Sequence, residues 1–132
     1  MLQYPAKIII AFGETINGNK KITDWFIKNS YPELAALSHA IQGSDNAVEW
    51  LLKNKFAHLA ALDAAIDNNK KAYEWLNNNN YNFLIVFADA CNAKPEAIAW
   101  LNSNDLQIFV LIARRIKALR DSHTFNYHKL HF

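Results

Sequence analysis

Residues 44–56 read SDNAVEWLLKNKF, and 25 positions further on residues 69–81 read NKKAYEWLNNNNY. The same register places NKKITDWFIKNSY at 19–31 and KPEAIAWLNSNDL at 94–106, so Trp25, Trp50, Trp75 and Trp100, the 4 tryptophans of the chain, stand at one constant spacing. Self-similarity at a fixed period of this size marks a repeat array. More than tryptophan recurs. Ile22, Ala47, Ala72 and Ala97 precede each Trp by three positions, and Phe26, Leu51, Leu76 and Leu101 follow it directly. Asn29, Asn54, Asn79 and Asn104 stand four positions after it, and Tyr31, Phe56, Tyr81 and Leu106 two beyond those. Leu34, Leu59, Leu84 and Phe109 come next, then Leu37, Leu62, Phe87 and Ile112, then Ser38, Asp63, Ala88 and Ala113.

Each unit reads as two short helices. In the first, the column before Trp, Trp itself and the residue after it fall at i, i+3 and i+4, which share a helical face. Asn19, Ser44 and Asn69 are good N-caps and Pro95 suits a first turn. The recurring Asn fits the stop, since Asn tolerates the left-handed conformation of a helix end. In the second helix Leu34, Leu37, Ser38 and Ile41 stand at i, i+3, i+4 and i+7, Pro32 is an early-turn proline, and Gly18 and Gly43 supply stops. At the start of the chain Ile9, Phe12 and Gly13 fall where Leu34, Leu37 and Ser38 fall 25 residues later, so Pro5–Thr15 reads as an orphan second helix. The three isoleucines at 8–10 would also suit a strand, but a lone strand has no partner in a helical chain.

Helices of about ten residues are marginal alone, so packing between neighbours has to stabilise them. The expected fold is all-α: a right-handed type of α-solenoid in a single domain, 1–132. Residues 1–15 form an N-terminal capping helix, 16–40, 41–65, 66–90 and 91–115 the four repeats, and 116–132 an aromatic C-terminal cap or tail. Trp25, Trp50, Trp75 and Trp100 are read as repeat core, because a large apolar side chain at a fixed register favours architecture over a ligand cage.

Composition agrees with one helical domain: 132 residues, 52% hydrophobic, with only 3 glycines and 3 prolines. The single cysteine, Cys91, stands in an isoleucine column and reads as a buried thiol. No leader or long apolar span is legible, so a cytoplasmic protein with no membrane contact is the expectation.

The stretch 32–54, PELAALSHAIQGSDNAVEWLLKN, resembles the helix pair of an ankyrin repeat: a Leu/Ala-rich helix, a glycine turn, and a helix ending in Leu-Leu. Leu59–Asn78 repeats the likeness. The period is shorter than the roughly 33 residues of ankyrin repeats, and Tyr31-Pro32-Glu33-Leu34 stands where Thr-Pro-Leu-His would. The resemblance implies an interaction scaffold and brings no catalytic residue with it.

Candidate chemistry is sparse, and neither catalysis, nor a cofactor, nor a metal is expected. His128 and His131 are three apart near His123, but a metal motif brings a third ligand at characteristic spacing. An aromatic flap through Phe125, Tyr127 and Phe132 is the better reading. His39 and His58 have no base or nucleophile partner and read as solvent-facing. Asp24, Glu49 and Glu74 form a row about 10 Å apart at ordinary helix spacing, near the ~6.5–9.5 Å of an inverting glycosidase. Ala99 ends that row, leaving a solvated face.

Two surfaces remain. A net charge of +2 does not itself imply nucleic acid, yet Lys20-Lys21 and Lys70-Lys71 share a register, and Arg114, Arg115, Lys117 and Arg120 form a candidate basic patch. A phosphate binder wants an unbroken basic stripe, and Asp24, Asp45, Glu49 and Glu74 interrupt this one. Phe83, Val86, Ile108 and Leu111 form the candidate partner surface, an apolar excess where earlier units carry Glu33, Ala36, His58 and Ala61. The expected function is a non-catalytic scaffold binding a protein or peptide, with possible self-association through the C-terminal half. A nucleic-acid-associated repeat module is the alternative.

Overall fold

In the computed structural model, which describes residues 1–131 and the side chains of residues 1–122, the chain is all-helical. Among the described residues there are nine helices and no strand: α1 (Ala6–Ile16), α2 (Lys20–Lys28), α3 (Pro32–Ile41), α4 (Asp45–Lys53), α5 (Ala57–Ile66), α6 (Lys70–Asn78), α7 (Asn82–Cys91), α8 (Pro95–Ser103) and α9 (Gln107–His131). The isoleucines at 8–10 therefore lie in a helix. No described helix is long and apolar enough to cross a membrane.

The local signals act as their chemistry dictates. The side chains of Asn19, Ser44 and Asn69 accept from the N–H of Ile22, Ala47 and Ala72 at 3.3, 3.2 and 3.1 Å, satisfying a donor that a helix start leaves unpaired. At the far ends of α2, α4, α6 and α8, the N–H of Tyr31, Phe56, Tyr81 and Leu106 donates to the carbonyl five residues back at 2.8–2.9 Å, the Schellman pattern. The left-handed residue that this needs is Ser30 (φ 72°), Lys55 (68°), Asn80 (62°) or Asp105 (57°). The asparagine expected to take that conformation is one position too early. Instead Asn29, Asn54, Asn79 and Asn104 donate from Nδ2 to the carbonyl of the preceding Trp at 2.7–2.8 Å.

The odd-numbered helices form the interior. Each packs on the next odd helix, α1 on α3, α3 on α5, α5 on α7 and α7 on α9, and α9 packs back on α1. The expected array had a separate cap at each end; here the two end helices meet. Phe12, Leu37, Leu62, Phe87 and Ile112, one per odd helix and all at one register, are 0% exposed. Each even helix lies outside this ring against the odd helices before and after it.

At the seam between α1 and α9, a Cβ on Gly13 would stand 3.0 Å from Cγ1 of Ile112 and from a guanidinium nitrogen of Arg115. The register that elsewhere holds Ser38, Asp63, Ala88 and Ala113 therefore holds glycine where α1 and α9 approach. Arg115 pairs with Glu14 across the same seam at 3.4 Å. The boundary drawn at 116 does not exist in the backbone, since α9 runs without a break from Gln107 to His131. Beyond the other helices' ends it carries Arg120 to Asp63, at 2.7 Å, and to Asp67 on the end of α5. The proposed aromatic flap and the His123, His128 and His131 cluster lie outside the residues whose side chains are described.

Candidate functional site

The tryptophans are not core. Trp25 is 46%, Trp75 37% and Trp100 44% exposed, and Trp50 is half-buried, while the next column, Phe26, Leu51, Leu76 and Leu101, is 0% exposed. Two adjacent residues cannot both point at a helix axis's inner neighbour; the smaller side chain takes the interior and Trp the edge. There it lies against the residue that closes the Schellman turn. Trp25 stacks on Tyr31, Trp50 on Phe56 and Trp75 on Tyr81, with centroids 6.2, 6.0 and 5.7 Å apart. This is the hydrophobic contact that accompanies the motif, and it leaves the other face of each indole to solvent.

That open face forms one wall of a groove that recurs. The first, of about 520 Å³, is lined by Ile8, Ala11, Lys21, Ile22, Trp25 and Tyr31, with Lys7 at its rim. The second, of about 410 Å³, has Ala35, Ala36 and His39 as its floor, with Ile27, Ala47 and Trp50 as walls. The third, of about 340 Å³, repeats it with Ala60, Ala61 and Ala64 below Leu52, Ala72 and Trp75. Small floor residues make the hollow, and the walls are exposed apolar side chains: Ile27 is 55% and Leu52 56% exposed. The sequence signal was the alternation of size in the floor column, Ala11, Ala36 and Ala61 giving way to Val86 and Leu111.

The candidate partner surface is largely spent on packing. Phe83, Val86 and Ile108 are half-buried against the core, Phe83 meeting Phe109 edge-on at 4.9 Å and leaning on Trp100 at 6.5 Å. The column of Phe83 and Ile108 faces the neighbouring helices of the ring, which is why Glu33 in that column is buried and accepts from the Tyr4 hydroxyl at 2.7 Å. Burial and that carboxylate push the Tyr4 hydroxyl's pKa up. Only Leu111 of the four is exposed, at 46%.

The basic patch is also spent. Arg115 pairs with Glu14, Lys117 with Asp121 at 2.9 Å, and Arg120 with Asp63 and Asp67. Among the described residues only Arg114 of the four makes no ion pair. Burial raises the Asp63 carboxyl above its ordinary range although the Arg120 charge and hydrogen bond pull it down.

His39 is exposed as expected, but His58 is half-buried and stacks on Tyr81 at 5.1 Å, burial lowering its pKa. Asp24, Glu49 and Glu74 are exposed. Cys91 is buried, and burial pushes its thiol up. Among the described residues no three His, Cys, Asp or Glu side chains converge as metal ligands would. Comparison with family models, curated proteins and solved structures gives no match.

Proposed function

We propose that the chain is a non-catalytic helical-repeat scaffold, acting in the cytoplasm, which binds a protein or peptide through the grooves on its outer surface. Its units are the four repeats 16–40, 41–65, 66–90 and 91–115, wound until the helices at the two ends meet. The observation that carries this reading is the recurrence of one apolar, alanine-floored, tryptophan-walled groove at three equivalent places. Such grooves suit apolar anchor side chains of a ligand, and a rigid surface limits the ordering cost of binding. Because the end helices meet, the binding surfaces are separate grooves set around the outside of the ring.

Nucleic-acid binding through the Lys20-Lys21 and Lys70-Lys71 pairs and the C-terminal Arg cluster is the weaker reading, since three of the four cations of that cluster are engaged with carboxylates of the same chain. Affinity capture from lysate at low and high salt separates the two. A protein retained at high salt, and lost when Ala36→Leu and Ala61→Leu fill the second and third grooves, supports the scaffold. Nucleic acid eluting with rising salt and indifferent to those substitutions overturns it.

A further inference from the structure

The ring has five odd helices but, among the described elements, four even ones. The four lie over the junctions α1–α3, α3–α5, α5–α7 and α7–α9, and the fifth junction, α9–α1, carries none. Two registers report what an even helix covers. Ala35, Ala60 and Val110 are 2%, 6% and 5% exposed and Ile85 is half-buried, whereas Ile10 at the same register on α1 is 51% exposed. Ala36 is 9% exposed and Val86 half-buried, whereas Leu111 at that register on α9 is 46% exposed. Ile10 is the residue that an even helix before α1 would cover, and Leu111 the one that an even helix after α9 would cover. The two face one vacant position.

We propose that this seam is a docking site for one amphipathic helix of a partner protein, acidic on its outer flanks, which occupies the place of a fifth even helix. The four even helices already on the ring define its inner face. Each presents a residue, Ile22, Ala47, Ala72 or Ala97, followed four positions later by a fully buried Phe26, Leu51, Leu76 or Leu101. Helix-in-groove recognition uses that spacing.

Charge selects the partner and disfavours a second copy. Arg114 on α9 is exposed beside the seam with no ion pair among the described residues, while Glu14 is engaged by Arg115. Two copies meeting face to face through this seam would bring two Arg114 side chains into one interface, and like charges across an interface are costly. A carboxylate on a partner helix meets Arg114. This site is separate from the three grooves, so it stands or falls without them.

The test uses the full chain and a hydrocarbon-stapled peptide of its own residues 44–56 carrying Lys53→Glu and Lys55→Glu. A basic twin carries Asp45→Lys and Glu49→Lys. Methyl NMR should show saturable shifts at Ile10 and Leu111, with the basic twin bound about tenfold more weakly and the gap closing as salt rises. Ile10→Asp with Leu111→Asp should keep the helical circular dichroism, both sites being half-exposed, and weaken binding at least about tenfold. Ala36→Val with Ala61→Val, which narrows the other grooves, should leave it unchanged. The proposal is overturned if the two methyls stay still at millimolar peptide, if the twin binds equally at low salt, or if sedimentation shows a dimer that the double Asp variant dissolves.

Discussion

The arc from α1 to α4 and the arc from α7 to α9 share a backbone plan and differ in what they leave for solvent. Every ion pair among the described residues takes its cation from positions 94–120: Lys94, Arg115, Lys117 and Arg120. The lysines of the first arc pair with nothing within it. Its grooves are floored by Ala11 and Ala36, while the later arc has Val86 and Leu111 there. Trp25 and Trp50 stack on Tyr31 and Phe56, but Trp100 faces Leu106 in that role and leans on Phe83 instead. The buried columns alone are fixed by the ring, so the remaining positions are free to diverge. The first arc keeps open apolar surface, and the last uses its charges to hold the ring shut.

Substitutions in the buried column should not distinguish the arcs at all. Leu51→Ala and Leu101→Ala, both 0% exposed, should each cost about 2–5 kcal/mol by urea unfolding. Trp25→Ala and Trp100→Ala should cost under about half as much, because nearly half of each indole is already in water. Equal losses at the two columns would restore the tryptophans to the core.

The ionic lock should matter in the last arc only. Arg120→Met leaves Asp63 buried without its cation and should cost about 2 kcal/mol, below the ~3–5 kcal/mol of a wholly buried pair since the guanidinium keeps some solvent access. Asp63 sharpens this through pH. Its folded carboxyl titrates above the unfolded one, burial outweighing Arg120. Its contribution to stability is therefore complete below the unfolded pKa and is lost as pH rises through the folded value. Arg120→Met removes both lowering influences and should move that window further up. Carboxyl ¹³C titration of the two proteins checks it, and an Asp63 at or below the ordinary aspartate range in the native chain contradicts the account.

Helix positions, N-caps and the repeat were legible because they rest on neighbours within a few residues. Asn19, Ser44 and Asn69 cap as their chemistry requires. The tryptophans misled because a face defined by i, i+3 and i+4 has a centre and an edge, and periodicity alone does not say which of Trp25 and Phe26 holds the centre. Ring closure was illegible for a different reason. It is made by Glu14 and Arg115, 101 positions apart, and no periodic signal links the two ends. One residue carried a trace of it: Gly13, which is glycine where the later units hold Ser38, Asp63, Ala88 and Ala113, and glycine admits close approach of another backbone. Leu111 carried another, as a bulky apolar residue in a column that otherwise holds Ala11, Ala36, Ala61 and Val86.

The smallest contrast between the arcs lies in how their odd helices stop. Gly18 and Gly43 end α1 and α3 at φ 88° and 104°, whereas Asn68 and Ala93 end α5 and α7 at φ 64° and 59°. Four equivalent turns thus use three residue types, and only glycine meets no Cβ penalty there. Asn offsets part of that penalty with a short polar side chain; the Asn68 amide donates to Asn92 at 3.2 Å. Ala93 has no such device, so Ala93→Gly should raise stability by about 1 kcal/mol, the relief of left-handed strain exceeding the entropy that glycine adds to the unfolded chain. Gly43→Ala should lower it by a similar amount although nothing stands within 4 Å of the added Cβ, which isolates the backbone term from packing. Urea midpoints of both variants measure the pair. Shifts of opposite sign and like size would show that the later arc carries a strained stop the earlier one lacks, while an Ala93→Gly protein no more stable than the parent would place the cost of that turn in its unfolded state.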